Sequence, residues 1–191
     1  AAKAQGYAAR SVFKLKEIDE RWRLLQPGQR VLDLGAAPGS WARYAAERVG
    51  GKGRVVAVDL QEISGLSLDN VTVVRGDVLA LREPIVSRAE PGKPDDPVTR
   101  NAPYHVVLSD MAPSTTGAKS SDQARSFELF MCALDVSRAL GRPGSSFVGK
   151  IFMSGDFPAA KRAVTEAFAT CRVIKPEGTR SNSTEIFVVG L

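Results

Sequence analysis

The feature that most constrains this chain is a short apolar run, Arg30-Val31-Leu32-Asp33-Leu34, entering the turn Gly35-Ala36-Ala37-Pro38-Gly39 and then a helical pattern from about Ser40 to Val49. A strand, a glycine turn and a helix in that order predict one unit of a parallel sheet, because parallel neighbours need a crossover connection. Further β-like runs lie at 54–59, 71–75, 105–109 and 146–151, with helical patterns at 121–140 and 158–169. Two last strands, near 171–175 and 184–190, follow with no helix between them. The alternation predicts a doubly wound α/β fold: a mostly parallel seven-stranded sheet, helices on both faces, and an antiparallel pair at the C-terminal edge.

An added helix is expected over 9–26, where Val12, Leu15, Ile18 and Trp22 recur at helical spacing, with Ser11 as its N-cap and Pro27-Gly28 as its stop. The stretch 82–103, rich in Pro, Asp and Arg, is expected to be an irregular, mobile surface loop. At 191 residues the chain fits a single domain, 1–191, with a sizeable core. No apolar run approaches the roughly 20 residues that cross a bilayer. Two cysteines, Cys132 and Cys171, and one histidine, His105, lack metal-type spacing, so neither a zinc site nor a disulfide framework is expected, and both thiols are read as buried. The net charge of +5 favours a polyanionic partner. The start, Ala1-Ala2-Lys3, carries no methionine and reads as trimmed or processed.

The glycine turn reads as a ligand pocket. Gly35 permits a sharp turn and Gly39 a close backbone approach. Asp59, at the end of the second strand, suits the two hydroxyls of an adenosine ribose, and Asp77, after the third strand, suits an adenine amino group. The turn is Gly-x-x-Pro-Gly, not the Gly-x-Gly-x-x-Gly of a dinucleotide site, and Pro38 removes one of the amides a pyrophosphate needs. That tilts the expected cofactor toward S-adenosylmethionine. Asp110 follows the fourth strand and Lys150 interrupts the apolar fifth. A lysine there is costly to bury unless it is paired or reactive, and parallel strands bring both residues to one crevice.

Asp33-Leu34-Gly35-Ala36-Ala37-Pro38-Gly39-Ser40-Trp41, Ser109-Asp110-Met111-Ala112-Pro113 and Gly149-Lys150-Ile151-Phe152 together resemble the FtsJ/RrmJ family of RNA ribose 2′-O-methyltransferases. The resemblance runs from Gly6 to Leu191 and implies a Rossmann-like class I methyltransferase domain. It implies a Lys-Asp-Lys-Glu tetrad, matched by Lys14, Asp110, Lys150 and Glu185. It also implies cofactor contacts from Gly39, Trp41, Asp59, Asp77 and Asp110, with Gly35, Ala37, Pro38, Leu60 and Val78 completing the pocket. Without the family, Trp41 would read as a helix residue packed on the sheet. Ser40, the segment Phe152-Met153-Ser154-Gly155-Asp156 and the 82–103 stretch depart from the family pattern.

The expected reaction is methylation of a ribose 2′-hydroxyl, with Lys150 acting as a hydrogen-bonded cation or as a neutral base, Asp110 orienting it, and Lys14 and Glu185 completing the network. No metal is expected. The expected substrate is RNA, a uridine of large-subunit ribosomal RNA before transfer RNA or an RNA cap, and the expected state a cytoplasmic monomer, with a processed mitochondrial form as the other reading. A catalytically silent RNA-binding assembly factor is the competing class, and a nicotinamide oxidoreductase a third. Lys3, Arg10, Lys14, Lys16, Arg21 and Arg23, extended by Arg43, Lys119, Arg125, Lys175 and Arg180, are the expected RNA-facing charges.

Overall fold

A computed structural model describes residue 7, residues 10–87, 96–114, 116–177, 179 and 183–191, without the side chains of 84–87. The chain runs α1 (Val12–Trp22), β1 (Arg30–Leu34), α2 (Ser40–Val49), β2 (Arg54–Asp59), β3 (Val71–Arg75), α3 (Val78–Ser87), α4 (Pro97–Arg100), β4 (Tyr104–Ser109), α5 (Lys119–Leu140), β5 (Gly141–Phe152), α6 (Phe157–Ala167), β6 (Cys171–Ile174) and β7 (Glu185–Gly190). Among the described residues the strands form one seven-stranded sheet, ordered β3-β2-β1-β4-β5-β7-β6. β1 to β5 are parallel, whereas β7 runs antiparallel to both β5 and β6. The reversed strand is thus the inner member of the terminal pair, and β6 forms the edge.

Alternating residues of the central strands feed two packed layers. Val31, Ala57, Leu108, Val148 and Phe187 meet α1 and α2 on one face. Leu32, Val58, Val107, Phe147 and Val188 meet α5 and α6 on the other. Both faces of a parallel sheet are covered in this way, which is why its strands read as continuous apolar runs. Ala42, Ala45 and Ala46 let the α2 backbone lie close to the sheet.

α1 is shorter than the expected 9–26, and Ala9 lies outside the described residues. Arg23 ends the helix in the left-handed conformation at φ 52°. Ser11 is the N-cap by position, but its side chain closes no capping hydrogen bond. α1 is fixed by Asp19, which is buried and accepts hydrogen bonds from the Leu25 amide (2.8 Å), the Tyr44 hydroxyl (2.9 Å) and Arg48 Nε (3.0 Å). These bonds lock α1 to α2 and so set the position of every side chain that α1 presents.

The expectation of an irregular loop over 82–103 is corrected at both ends. α3 extends to Ser87, and its start is held by Asp77, whose Oδ1 accepts from the Leu79 amide at 2.9 Å. α4 begins at Pro97 under an Asp96 cap that accepts from the amides of Val98 and Thr99, a cap-then-proline start that local chemistry favours. Residues 88–95, the middle of that stretch, lie outside the described residues. β5 is longer than the expected 146–151, starting at Gly141. Cys132 is buried as expected, but Cys171 is half-exposed because it opens the edge strand.

Candidate active site

The C-terminal ends of β1, β2 and β4, with the turn after β3, border a cavity of about 400 Å³. Gly35, Ala37, Asp59, Leu60, Asp77, Val78 and Asp110 line it, seven of the expected cofactor residues. Gly35 sits at φ 74°, and a side chain there would run into Met111. Gly39 sits at φ 96°, where a Cβ would lie 2.9 Å from Ile63. Each position therefore accepts glycine alone. Asp59 holds the turn: its Oδ2 accepts from the Ala37 amide (2.9 Å) and its Oδ1 from the Gln61 amide (2.8 Å). Each oxygen keeps a second lone pair for a ligand hydroxyl.

Pro38, Gly39 and Trp41 are not on the cavity lining. For Trp41 the structure shows sheet packing. It is buried, its ring lies 5.7 Å from that of Phe187, and its indole N–H donates to the Ser11 carbonyl at 2.9 Å. Trp41 thereby joins α2 to α1 and β7. The lining also includes Gln61, Gly76, Leu79, Met111 and Ser114, which sequence reading passed over although each adjoins or lies near a named strand end. Leu129, from the middle of α5, carried no local signal.

The four tetrad residues meet on the α1/α2 face of the sheet. Lys150 Nζ lies 3.1 Å from Asp110 Oδ1 and 3.7 Å from Glu185 Oε1. Lys14 Nζ donates to Glu185 Oε2 at 2.8 Å, across 171 residues of sequence. Lys14 also sits 5.8 Å from the centre of the Phe187 ring. It points inward, so it leaves the set of RNA-facing charges, while Lys3 and Arg180 of that set lie outside the described residues. Lys150 is only 6% exposed. Burial raises the Asp110 carboxyl above its ordinary value, against the opposing pull of Lys150 and Lys14. Burial acts upward on Glu185 too, but there the Lys14 hydrogen bond and the charges of Lys150 and Lys14 win and hold it below the ordinary value. A charge chain of alternating sign, Asp110–Lys150–Glu185–Lys14, thus borders the cavity at Asp110.

Asp33 is the unexpected group. It is fully buried in β1, and neither carboxyl oxygen has a hydrogen-bond partner among the described residues. Burial and the nearby carboxylates of Asp110 and Asp59 push it well above the usual carboxylate range, and the Ala42 amide in the first turn of α2 opposes them only in part. The folded protein therefore keeps this proton to higher pH than the unfolded chain does. Stability from that proton is full below the unfolded value of about 4 and is lost as pH rises through the native value. Asp33→Asn, always neutral and of the same shape, is expected to gain melting temperature over the wild type as pH rises from about 4 through the native value, measured in a series run from about pH 4 to pH 8. A difference that stays constant across that range would show that Asp33 is ionised in the fold.

Among the described residues, no group of three or more His, Cys, Asp or Glu is arranged to hold a metal ion.

The chain matches the model of the FtsJ-like methyltransferase family over residues 7–191. It is 57% identical over 191 residues to ribosomal RNA large subunit methyltransferase E of Sorangium cellulosum, covering 100% of this chain and 84% of that one. Identity to the protein of the same name from Syntrophobacter fumaroxidans is 44% over 190 residues, covering 100% and 91%. Among solved structures, one described as a ribosomal RNA methyltransferase of Plasmodium falciparum superposes with a TM-score of 0.79 at 22% identity, covering 96% of this chain and 97% of that one. Aeropyrum pernix fibrillarin with bound S-adenosyl-L-methionine gives 0.60 at 14% identity, covering 100% and 72%. At these identities the two structures speak for the fold.

Proposed function

The chain belongs to the FtsJ-like methyltransferase family, and from that premise we propose that it methylates a ribose 2′-hydroxyl of RNA, using S-adenosylmethionine, with a uridine of large-subunit ribosomal RNA as its target. The observation that carries this reading is the buried ammonium of Lys150 held between Asp110 and Glu185 beside the cavity. The names of the bacterial relatives support the ribosomal substrate.

The residues fit the cofactor. Asp59 suits the ribose hydroxyls, Asp77 the adenine amino group, and Leu60, 63% exposed on the cavity lining, offers apolar surface to the base. Nothing in the lining demands a phosphate. When bound, S-adenosylmethionine supplies a methyl group already activated on sulfonium. What remains for the protein is to orient a weakly nucleophilic hydroxyl and offset the negative charge that develops on its oxygen. Lys150 is placed to donate a hydrogen bond to that oxygen, whose proton passes to solvent as the oxygen–methyl bond forms and the methyl–sulfur bond breaks. Asp110 reaches both Lys150 and the cavity wall, so it ties the hydroxyl's position to the methyl donor's. Lys14 fixes Glu185, and Glu185 holds Lys150 from the other side. A nicotinamide reading has no use for this tetrad, and a silent assembly factor has no need of it.

The test is methyl transfer from labelled S-adenosylmethionine to large ribosomal subunits from a strain lacking the activity, with free ribosomal RNA and bulk transfer RNA alongside. Label mapped to a 2′-O-methyl uridine in the large subunit is the expected result. Label in transfer RNA alone would keep the chemistry and move the substrate. Cofactor binding without transfer to any RNA would overturn the reading.

A further inference from the structure

Beside the tetrad stands an aromatic side chain that, among the described residues, belongs to neither packed layer. Phe152 is the last residue of β5 and is half-exposed. It belongs to neither packed layer, although Phe130, Phe147, Phe168 and Phe187 all do. Side chains two apart on a strand share a face, so Phe152 lies on the face of Lys150. The register confirms this, because Phe152 pairs directly with Glu185, the residue that contacts Lys150. Directly opposed residues of an antiparallel pair have Cβ atoms about 4.5–5.5 Å apart. The backbone here is fixed: the Phe152 amide donates to the buried Ser126 hydroxyl of α5 at 2.9 Å, and the following Met153 amide donates to the Thr184 carbonyl at 2.8 Å.

A ribose hydroxyl held at Lys150 brings its nucleobase with it, since base and 2′-oxygen sit on adjacent carbons of one ring. Single-stranded RNA bases displaced from their stacks are received on aromatic faces, which supply stacking energy without demanding one base identity. A rigidly held, partly exposed phenyl ring next to the ammonium supplies such a face. We propose that Phe152 is the platform on which the base of the methylated nucleotide stacks, so that it binds the RNA and sets the ribose against Lys150. This rests on the RNA methylation reading above and adds a substrate-contacting residue to it. Met153, 44% exposed, is the next residue along and follows the end of the strand.

The test compares Phe152→Leu, Phe152→Ala and Phe152→Tyr with Met153→Ala in steady-state methyl transfer to unmethylated large ribosomal subunits, with calorimetric titration of S-adenosylhomocysteine and melting temperature measured for each. Leucine and alanine are both expected to raise KM for the subunit about tenfold, and tyrosine to restore it to within about twofold of wild type. Cofactor-product affinity should be unchanged throughout, and Met153→Ala should behave as wild type. A leucine variant with wild-type KM would show that the ring only fills space and would overturn the proposal. An equal defect from Met153→Ala would overturn it too, by showing that the effect is not specific to the ring. Failure of the wild type to label any RNA would instead sink the RNA reading, and this platform with it.

Discussion

Lys150→Ala is expected to lower the rate of methyl transfer by about a thousandfold, the upper end of what one preorganised donor to a developing oxyanion contributes. The affinity for S-adenosylhomocysteine should barely change, because Lys150 is not on the wall of the cofactor cavity. The reason for so large an effect is burial. At 6% exposure, Lys150 works where water competes weakly, and it is aimed by carboxylates at 3.1 and 3.7 Å. Single-turnover transfer with labelled cofactor isolates the chemical step. Lys150→Met, which keeps the apolar stem, guards against a folding artefact and should be equally slow. Residual turnover within about tenfold of wild type would remove Lys150 from the chemistry.

Asp110→Asn should damage two measurements that Lys150→Ala separates. Asp110 both lines the cavity and pairs with Lys150. Asparagine keeps the shape and loses the charge. A hydrogen bond to a charged partner is worth about 1.5–3 kcal/mol, so cofactor affinity and transfer rate should each fall by about ten- to a hundredfold. Calorimetry reads the first and single-turnover kinetics the second. Unchanged affinity would confine Asp110 to aiming Lys150, and an unchanged rate would confine it to the cavity wall.

The two variants bracket the part of the site that was most legible in advance. Residues ending parallel strands gather at one edge of a doubly wound sheet. Asp59, Asp110 and Lys150 could therefore be placed near one another from strand positions alone, and the structure brings Asp110 and Lys150 into contact. Lys14 and Glu185 could not be so placed. They stand 171 residues apart, and only resemblance to a family linked them before the fold showed them 2.8 Å apart. For Trp41, family resemblance implies a cofactor contact, and the structure shows its ring packed against Phe187 and its indole bonded to Ser11 at the start of α1.

Residue order alone determined the alternation of strands and helices, the glycine turn, and the acids that end β2 and β4, because periodicity, turn geometry and the cost of burying charge are local properties. It also contained the caps of α3 and α4, Asp77 and Asp96, which proline-rich composition concealed. Tertiary structure alone decided that β7 inserts between β5 and β6, that Asp33 is fully buried in β1, and that Phe152 pairs with Glu185 outside the two packed layers of the described residues. Each of those depends on which segments become neighbours across the sheet. Strand order and burial arise from packing between distant parts of the chain, and no window of sequence contains that information.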